Sequence, residues 1–159
     1  MKKRPLILGV GNLLMGDEGI GCQAIRYLES LGWDQHFELM DGGTGGFHLL
    51  DHLTQREVVV LIDATLDDLP EGTVRLIRPN TLSDFPHTLS THEIGLKDLI
   101  SSLILLEEMS DMYLVAISVK DYARLSMDLS PEVEASLKKV ESAIRRVVTL
   151  AKIHPTAAL

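Results

Sequence analysis

The chain has 159 residues, 45% hydrophobic content with 4% aromatic residues, and a formal net charge of −8. This length predicts a single domain over residues 1–159, with a core built mainly from Leu, Ile and Val. The acidic charge argues against a nucleic-acid partner, because binding to a phosphate backbone depends on Lys and Arg.

The cysteine content and the apolar runs give expectations about location. The single cysteine, Cys22, excludes an intrachain disulfide and a cysteine-based zinc site, and it fits a reducing compartment. No apolar run approaches the ~20 residues that a membrane-spanning helix needs. The apolar run at residues 6–10, behind a basic start, is too short for a signal peptide. We therefore expect a cytoplasmic protein without a membrane segment.

Apolar strand-like runs alternate along the chain with segments of helical period. In chain order the pattern predicts a strand (6–10), a helix (17–31), a strand (37–40), a short helix (44–53), two strands (58–62 and 73–77), a helix (92–106), a strand (113–119) and a C-terminal helix (131–152). Asp63 is expected to end the third strand, and Ser130 is expected to cap the last helix ahead of Pro131. The tight turn at residues 69–72 favours a hairpin between the third and fourth strands.

An alternating βαβαβ order with short connections requires right-handed crossovers and a sheet covered on both faces. We therefore predict a three-layer α/β/α sandwich, with a mainly parallel, twisted five-stranded sheet and one antiparallel strand. In such sheets, ligands bind beyond the carboxyl ends of the strands. Three segments rich in Gly and acidic residues are expected at that edge, at residues 11–18, 41–46 and 63–65.

The glycines at the end of the first strand do not form a dinucleotide fingerprint. Gly9 and Gly11 fit its first two positions, but Leu14 occupies the third. Asp17 and Glu18 would also oppose a pyrophosphate at the start of the helix. A tight strand-to-helix turn explains the two glycines better.

Two carboxylates and one imidazole are the main candidates for a site. Glu18 lies in a first helical turn, where an acid also complements the helix dipole. Asp63 follows a strongly apolar strand, where a carboxylate is costly unless it is paired, hydrogen-bonded or bound to a cation. His92 opens a predicted helix, and the helix dipole favours its neutral, metal-binding form.

The other candidate side chains have simpler explanations. His36 and His154 are expected at the surface, and His48 and His52 form an i, i+4 pair that is expected to be solvated. Cys22 lies on the same helical face as Glu18, but the nearby acids oppose a thiolate, so a small packed residue is the preferred interpretation.

Several short motifs in order resemble the hydrogenase maturation proteases, the endopeptidases that finish the large subunit of nickel–iron hydrogenases. The resemblance is carried by residues 9–12 (GVGN), 16–21 (GDEGIG), 41–44 (DGGT), 62–64 (IDA), 72–73 (GT), 91–92 (TH) and 95–96 (GL). It implies that Glu18, Asp63 and His92 are the metal-binding residues. It also implies that the segment formed by Asp41, Gly42, Gly43 and Thr44 takes part in substrate recognition or cleavage specificity.

The resemblance further implies the reaction and the partner. The protein would remove a C-terminal extension from the nickel–iron hydrogenase large-subunit precursor after nickel insertion, and the nickel would be supplied by that substrate. One imidazole and two carboxylates leave coordination positions open and suit nickel, and other divalent metals such as zinc or cadmium can occupy such a site. Attack by water, with Asp41 or Asp17 as the base, is a hypothesis for cleavage.

Two other functions remain open from the sequence. The same three residues would serve a non-catalytic nickel-delivery protein or metallochaperone. Peptidyl-tRNA hydrolases share the strand followed by Gly-x-Gly-Asn, but they are expected to have a basic surface and a histidine soon after that turn. Here the segment after Asn12 is acidic and the next histidine is His36.

Overall fold

The computed structural model describes residues 2–86, 96–121 and 124–154. A five-stranded sheet has the order β2-β1-β3-β5-β4. The strands are β1 (Leu6–Gly9), β2 (Glu38–Asp41), β3 (Val58–Leu66), β4 (Val74–Ile77) and β5 (Asp111–Val119). All neighbouring pairs are parallel except β4 and β5. The predicted mainly parallel sheet with one antiparallel strand is confirmed.

Helices cover both faces of this sheet. They are α1 (Ile20–Ser30), α2 (Leu50–Leu53), α3 (Leu96–Leu105), α4 (Pro131–Ala135) and α5 (Leu137–Leu150). Short 3₁₀ turns lie at Gly16–Gly19, Trp33–Gln35, Phe47–Leu49 and Leu82–Asp84. Among the described residues, no helix is long and apolar enough to cross a membrane.

The core has two parts, one on each face of the sheet. On one face, side chains such as Ile7, Val60 and Ile62 pack with α1 and α5. On the other face, side chains such as Leu8 and Leu61 pack with α3. Alternate residues of each strand therefore face different helices, as expected for a buried sheet. The predicted α/β/α sandwich is confirmed.

Three local predictions are wrong. Asp63 does not end the third strand, because β3 continues through it to Leu66. The predicted hairpin between the third and fourth strands does not form, because β1 and β5 occupy the two sides of β3 and β4 pairs with β5 instead. The predicted single helix 131–152 is divided at Ser136 into α4 and α5. Ser130 does occupy the predicted N-cap position ahead of Pro131, but its hydroxyl makes no capping bond and donates instead to Glu71 Oε1 (2.9 Å).

Two glycines allow α1 to lie unusually close to the sheet. A Cβ on Gly9 would lie 2.1 Å from the carbonyl oxygen of Gly21. A Cβ on Gly21 would lie 2.2 Å from Val10 O and 2.5 Å from Ile62 O. All of these neighbours are backbone atoms, so a side chain at either position would push the helix away. The close packing fixes the start of α1 against the end of β1 and the middle of β3.

Candidate functional site

The loops after β1 and β2 meet at the carboxyl edge of the sheet. Gly9 of β1 is in register with Asp41 of β2 on one side and with Ile62 of β3 on the other. Backbone bonds then join the loops, from Gly42 N to Gly9 O and from Gly11 N to Gly43 O, both 2.7 Å. The acids at positions 41 and 63 are thus held on the two sides of β1.

The edge is stepped, because the strands do not end at the same level. The pairing of β1 with β3 ends at Gly9 and Ile62. The pairing of β3 with β5 continues for four more residues, up to Leu66 and Val119. The 3₁₀ turn Gly16–Gly19 packs against β3 at this step. The turn that carries Glu18 and the strand that carries Asp63 are therefore neighbours.

Glu18 is a largely buried acid. Its exposed fraction is only 7%, and burial raises the pKa of its carboxyl group above the ordinary value. Its turn lies directly on the loop after β1, since a Cβ on Gly11 would lie 2.2 Å from Glu18 O. A buried carboxylate is stabilised by a proton, by hydrogen-bond donors or by a cation. Binding a divalent metal is therefore within the chemistry of this side chain.

Asp63 is completely buried within β3. Its exposed fraction is 0%, its backbone pairs with Ala116 of β5, and its Oδ1 accepts the backbone N–H of Ala64 (2.8 Å). By strand alternation it faces the same side of the sheet as Leu61, which packs with α3. Asp63 thus lies on the α3 side, one residue beyond the last residue that pairs with β1.

His92, the third predicted ligand, lies outside the described residues, in the gap that ends just before α3. The far end of α3 is at the amino edge of the parallel strands, where Ile104 lines a cavity with Arg78 and Met112. The helix is ~15 Å long, comparable to the height of the sheet. Its first residue, Leu96, is therefore directed towards the carboxyl edge, the edge at which Asp63 is buried.

The segment from Asp41 to Thr44 forms a tight turn on the other side of β1. Asp41 is exposed and its Oδ1 accepts the N–H of Gly43 (2.9 Å), which adopts a left-handed φ of 55°. Gly42 lies against Leu8, and Thr44 is exposed. This is an accessible, hydrogen-bonded loop with one carboxylate, as a peptide-binding or base role requires.

Cys22 lies under this loop as a buried thiol. Its Sγ donates to Gly11 O (3.5 Å). Burial first, and the neighbouring Asp41 carboxylate second, raise the pKa of the thiol far above its ordinary value. A thiol in this environment stays protonated and is a poor nucleophile. The structure agrees with the prediction of a small packed residue.

Among residues 2–86, 96–121 and 124–154, no group of three His, Cys, Asp or Glu side chains is arranged to hold a metal ion. The predicted set has only two members in these ranges, Glu18 and Asp63. The structure places those two acids on adjacent elements, and the predicted three-residue set stays a prediction.

The structure also shows a contact that the sequence did not predict. Asp17 Oδ1 accepts the backbone N–H of Ser130 (2.7 Å), 113 residues away along the chain. Residues 126–127 are likewise bonded to the loop after β1 and to α1, at Leu14, Gly16 and Gln23. No local pattern signals such contacts, because each partner looks like an ordinary loop or helix-start residue by itself.

Comparisons with known proteins agree with this architecture. The family model described as hydrogenase maturation protease matches residues 22–147. The hydrogenase 2 maturation protease of Escherichia coli is 31% identical over 149 residues, which are 89% of this chain and 91% of that protein. Several other curated relatives are longer, and the chain spans about half of their length, 48% in one case.

Two solved structures share the fold over nearly the whole chain. The hydrogenase maturating endopeptidase HybD from E. coli has a TM-score of 0.76 and 30% identity, covering 94% of this chain and 93% of that one. The [NiFe] hydrogenase maturation protease HybD from Thermococcus kodakarensis has a TM-score of 0.74 and 32% identity, covering 94% and 99%. The chain therefore belongs to the hydrogenase maturation protease family.

Proposed function

We propose that this protein is an endopeptidase that removes the C-terminal extension of a nickel–iron hydrogenase large-subunit precursor after nickel insertion. The observation that carries the proposal is the alignment over 149 residues with a hydrogenase 2 maturation protease. The accessible loop at Asp41, beside a pair of buried acids, is the arrangement that a protein substrate carrying a metal would require.

We infer that Glu18, Asp63 and His92 recognise the nickel carried by the substrate. The burial of Glu18 and Asp63 supports this role. A cation favours the charged form of a buried carboxylate, and the resulting attraction is strong where water is largely excluded. A precursor that carries its metal would bind these acids more tightly than one without metal, so cleavage would be coupled to nickel insertion. Zinc or cadmium would fit the same carboxylate and imidazole ligands.

The exposed segment from Asp41 to Thr44 is the proposed contact for the peptide around the cleavage site. Hydrolysis adds one water molecule across the peptide bond, and a carboxylate can accept the proton that the water loses as it attacks. Asp41 is exposed and its side chain is oriented by the N–H of Gly43. These features support Asp41 as the base, and full processing by Asp41→Asn would remove it from that role.

The decisive experiment mixes purified protein with precursor that does or does not contain nickel, and follows the mass of the large subunit. The proposal predicts a mass loss equal to the C-terminal extension only with the nickel-loaded precursor. Transfer of nickel without mass loss would instead support a delivery protein. Cleavage at equal rates with and without nickel would contradict recognition of the metal.

Variants of the three inferred ligands test the site itself. Glu18→Gln, Asp63→Asn and His92→Ala are each expected to abolish processing while the protein stays folded. The matched controls change the same residue types at exposed positions, and they are Glu29→Gln, Asp51→Asn and His154→Ala. Normal processing by all three ligand variants would contradict the assignment.

A further inference from the structure

The acid before Glu18, Asp17, makes a hydrogen bond to a residue that is distant in sequence. Asp17 Oδ1 accepts the backbone N–H of Ser130 at 2.7 Å, a charge-assisted hydrogen bond in a partly buried position. We propose that Asp17 is a positioning residue, which fixes the turn that carries Glu18 by binding the Ser130 N–H. The consequence for cleavage rests on the proposed function, whereas the bond itself can be tested without it.

Glu18 lies in a short turn, to which a distant segment of the chain is bonded. Glu18 lies in a four-residue 3₁₀ turn whose N-cap, Met15, makes no side-chain capping bond. The backbone N–H of Glu18 donates to Met15 O at 3.2 Å, a long bond. Bonds in 3₁₀ turns have poorer geometry than those in α-helices. A contact with a distant segment therefore adds a constraint that a short 3₁₀ turn does not supply by itself.

The partner segment, residues 126–130, contacts the chain on both sides of Glu18. Ser126 N donates to Leu14 O (2.9 Å), and Gly16 N donates to Ser126 O (2.7 Å). Gln23 of α1 donates from its side chain to Met127 O (3.2 Å). With the bond between Asp17 and Ser130, the segment thus contacts the loop, the turn and the helix on either side of Glu18. We call residues 126–130 the strap, because they cross the turn that carries Glu18.

The strap is anchored in turn to the sheet. The hydroxyl of Ser130 donates to Glu71 Oε1 (2.9 Å). The neighbouring Gly72 binds Ser118 of β5 through its backbone N–H (2.8 Å). A Cβ on Gly72 would lie 2.5 Å from the carbonyl oxygen of Glu132, so this turn is pressed against α4. Movement of the Glu18 turn away from its site would therefore have to break contacts with fixed elements.

Two substitutions at Asp17 separate positioning from catalysis. Asp17→Asn keeps a side-chain oxygen that can accept the Ser130 N–H but removes the negative charge. Asp17→Ala removes the acceptor. A positioning role predicts that Asp17→Asn stays close to wild type in processing, while Asp17→Ala loses about 10- to 100-fold in kcat/KM. A base role predicts that both variants are inactive.

Matched substitutions on the donor side test the same bond. Ser130 has φ −63° and ψ 154°, which proline can adopt, so Ser130→Pro removes the N–H while the dihedral angles of residue 130 can stay the same. Ser130→Ala keeps the N–H and loses only the hydroxyl bond to Glu71. We expect Ser130→Pro to reduce processing as Asp17→Ala does, and Ser130→Ala to retain more activity than Ser130→Pro.

The rate of hydrogen exchange at the Ser130 amide tests for this hydrogen bond in the absence of substrate. Its N–H is expected to be protected in the wild type and in Asp17→Asn, and to lose that protection in Asp17→Ala. Equal exchange in all three proteins would overturn the bond. Inactive Asp17→Asn, or fully active Asp17→Ala beside inactive Glu18→Gln, would overturn the positioning role alone. A wild-type protein that leaves nickel-loaded precursor uncut would overturn the proposed function, and with it the role in cleavage.

Discussion

Replacing Gly21 by alanine tests whether the close packing of α1 positions the site. The added Cβ would lie 2.2 Å from Val10 O and 2.5 Å from Ile62 O, against an ordinary contact of 3.4–4 Å. The helix would therefore have to move by about 1 Å, because neither backbone oxygen can swing aside as a side chain can. Overpacking of this kind costs about 1–3 kcal/mol, and contacts with the backbone of β3 and of the residue that follows β1 favour the upper end. For a chain of this size, about 3 kcal/mol lowers Tm by roughly 6–12 °C.

The same movement displaces Glu18, because only Gly19 separates Glu18 from the first residue of α1. A misplacement of ~1 Å can cost about 100-fold in rate, so Gly21→Ala is expected to lose processing more severely than stability. Thermal unfolding and the precursor assay, run below the lowered Tm, measure the two effects separately. Gly32→Ala is the matched control, since Gly32 lies at the far end of α1 with φ 84° and its nearest contact is 3.7 Å away. It should lose about 1–2 kcal/mol to backbone strain and keep processing. Wild-type Tm and activity in Gly21→Ala would refute the reasoning.

Three further predictions follow from buried polar groups. Because burial raises the pKa of Glu18 in the folded protein, its favourable contribution is present below the ordinary value of 4.5 and is lost as pH rises through the raised pKa. Glu18→Gln should therefore be more stable than wild type in urea unfolding at pH 7, and the difference should shrink at pH 4. The Arg56 side chain is 2% exposed, pairs with Glu38 at 2.9 Å and donates to the carbonyl oxygens of Arg4 and His52. Because Glu38 is 39% exposed and stays solvated, Arg56→Met should cost about 1–3 kcal/mol, mainly from the carbonyls that lose their donor, whereas Lys2→Met at an exposed pair should cost under about 1 kcal/mol. Cys22 should resist thiol alkylation until the protein unfolds, and Cys22→Ala should retain processing, since burial raises the thiol pKa.

The architecture could be predicted because periodicity and breaker residues are local signals. The apolar run at residues 58–62 marked β3, and the spacing of Ile20, Ala24 and Leu28 marked α1. The helices on both faces then followed from the rules for crossover connections. The position of Asp63 beyond an apolar run likewise predicted a constrained acid, and the structure shows it fully buried.

The remaining errors arise where pairing over long distances decides the structure. The extension of β3 past Asp63 depends on the partner strand β5, about 50 residues later, and no local pattern contains it. His36 was expected at the surface and is only 8% exposed, because it packs edge-on against Trp33. The bond between Asp17 and Ser130 joins two residues that each look like a helix-start residue in sequence. Such contacts depend on the assembled fold, not on the residues next to them.

The stepped carboxyl edge explains why a buried aspartate and an exposed one occur on neighbouring strands. Asp41 ends β2 level with the end of β1, so it faces solvent. Asp63 lies one residue above that level, but β3 is still paired with β5 there and the turn carrying Glu18 packs against it. A strand that extends past one neighbour and stays paired with the other can thus bury a carboxylate at the edge of the sheet. Under the proposed function, the nickel of the substrate would bind at this step, and the exposed loop of Asp41 on the other side of β1 would contact the peptide.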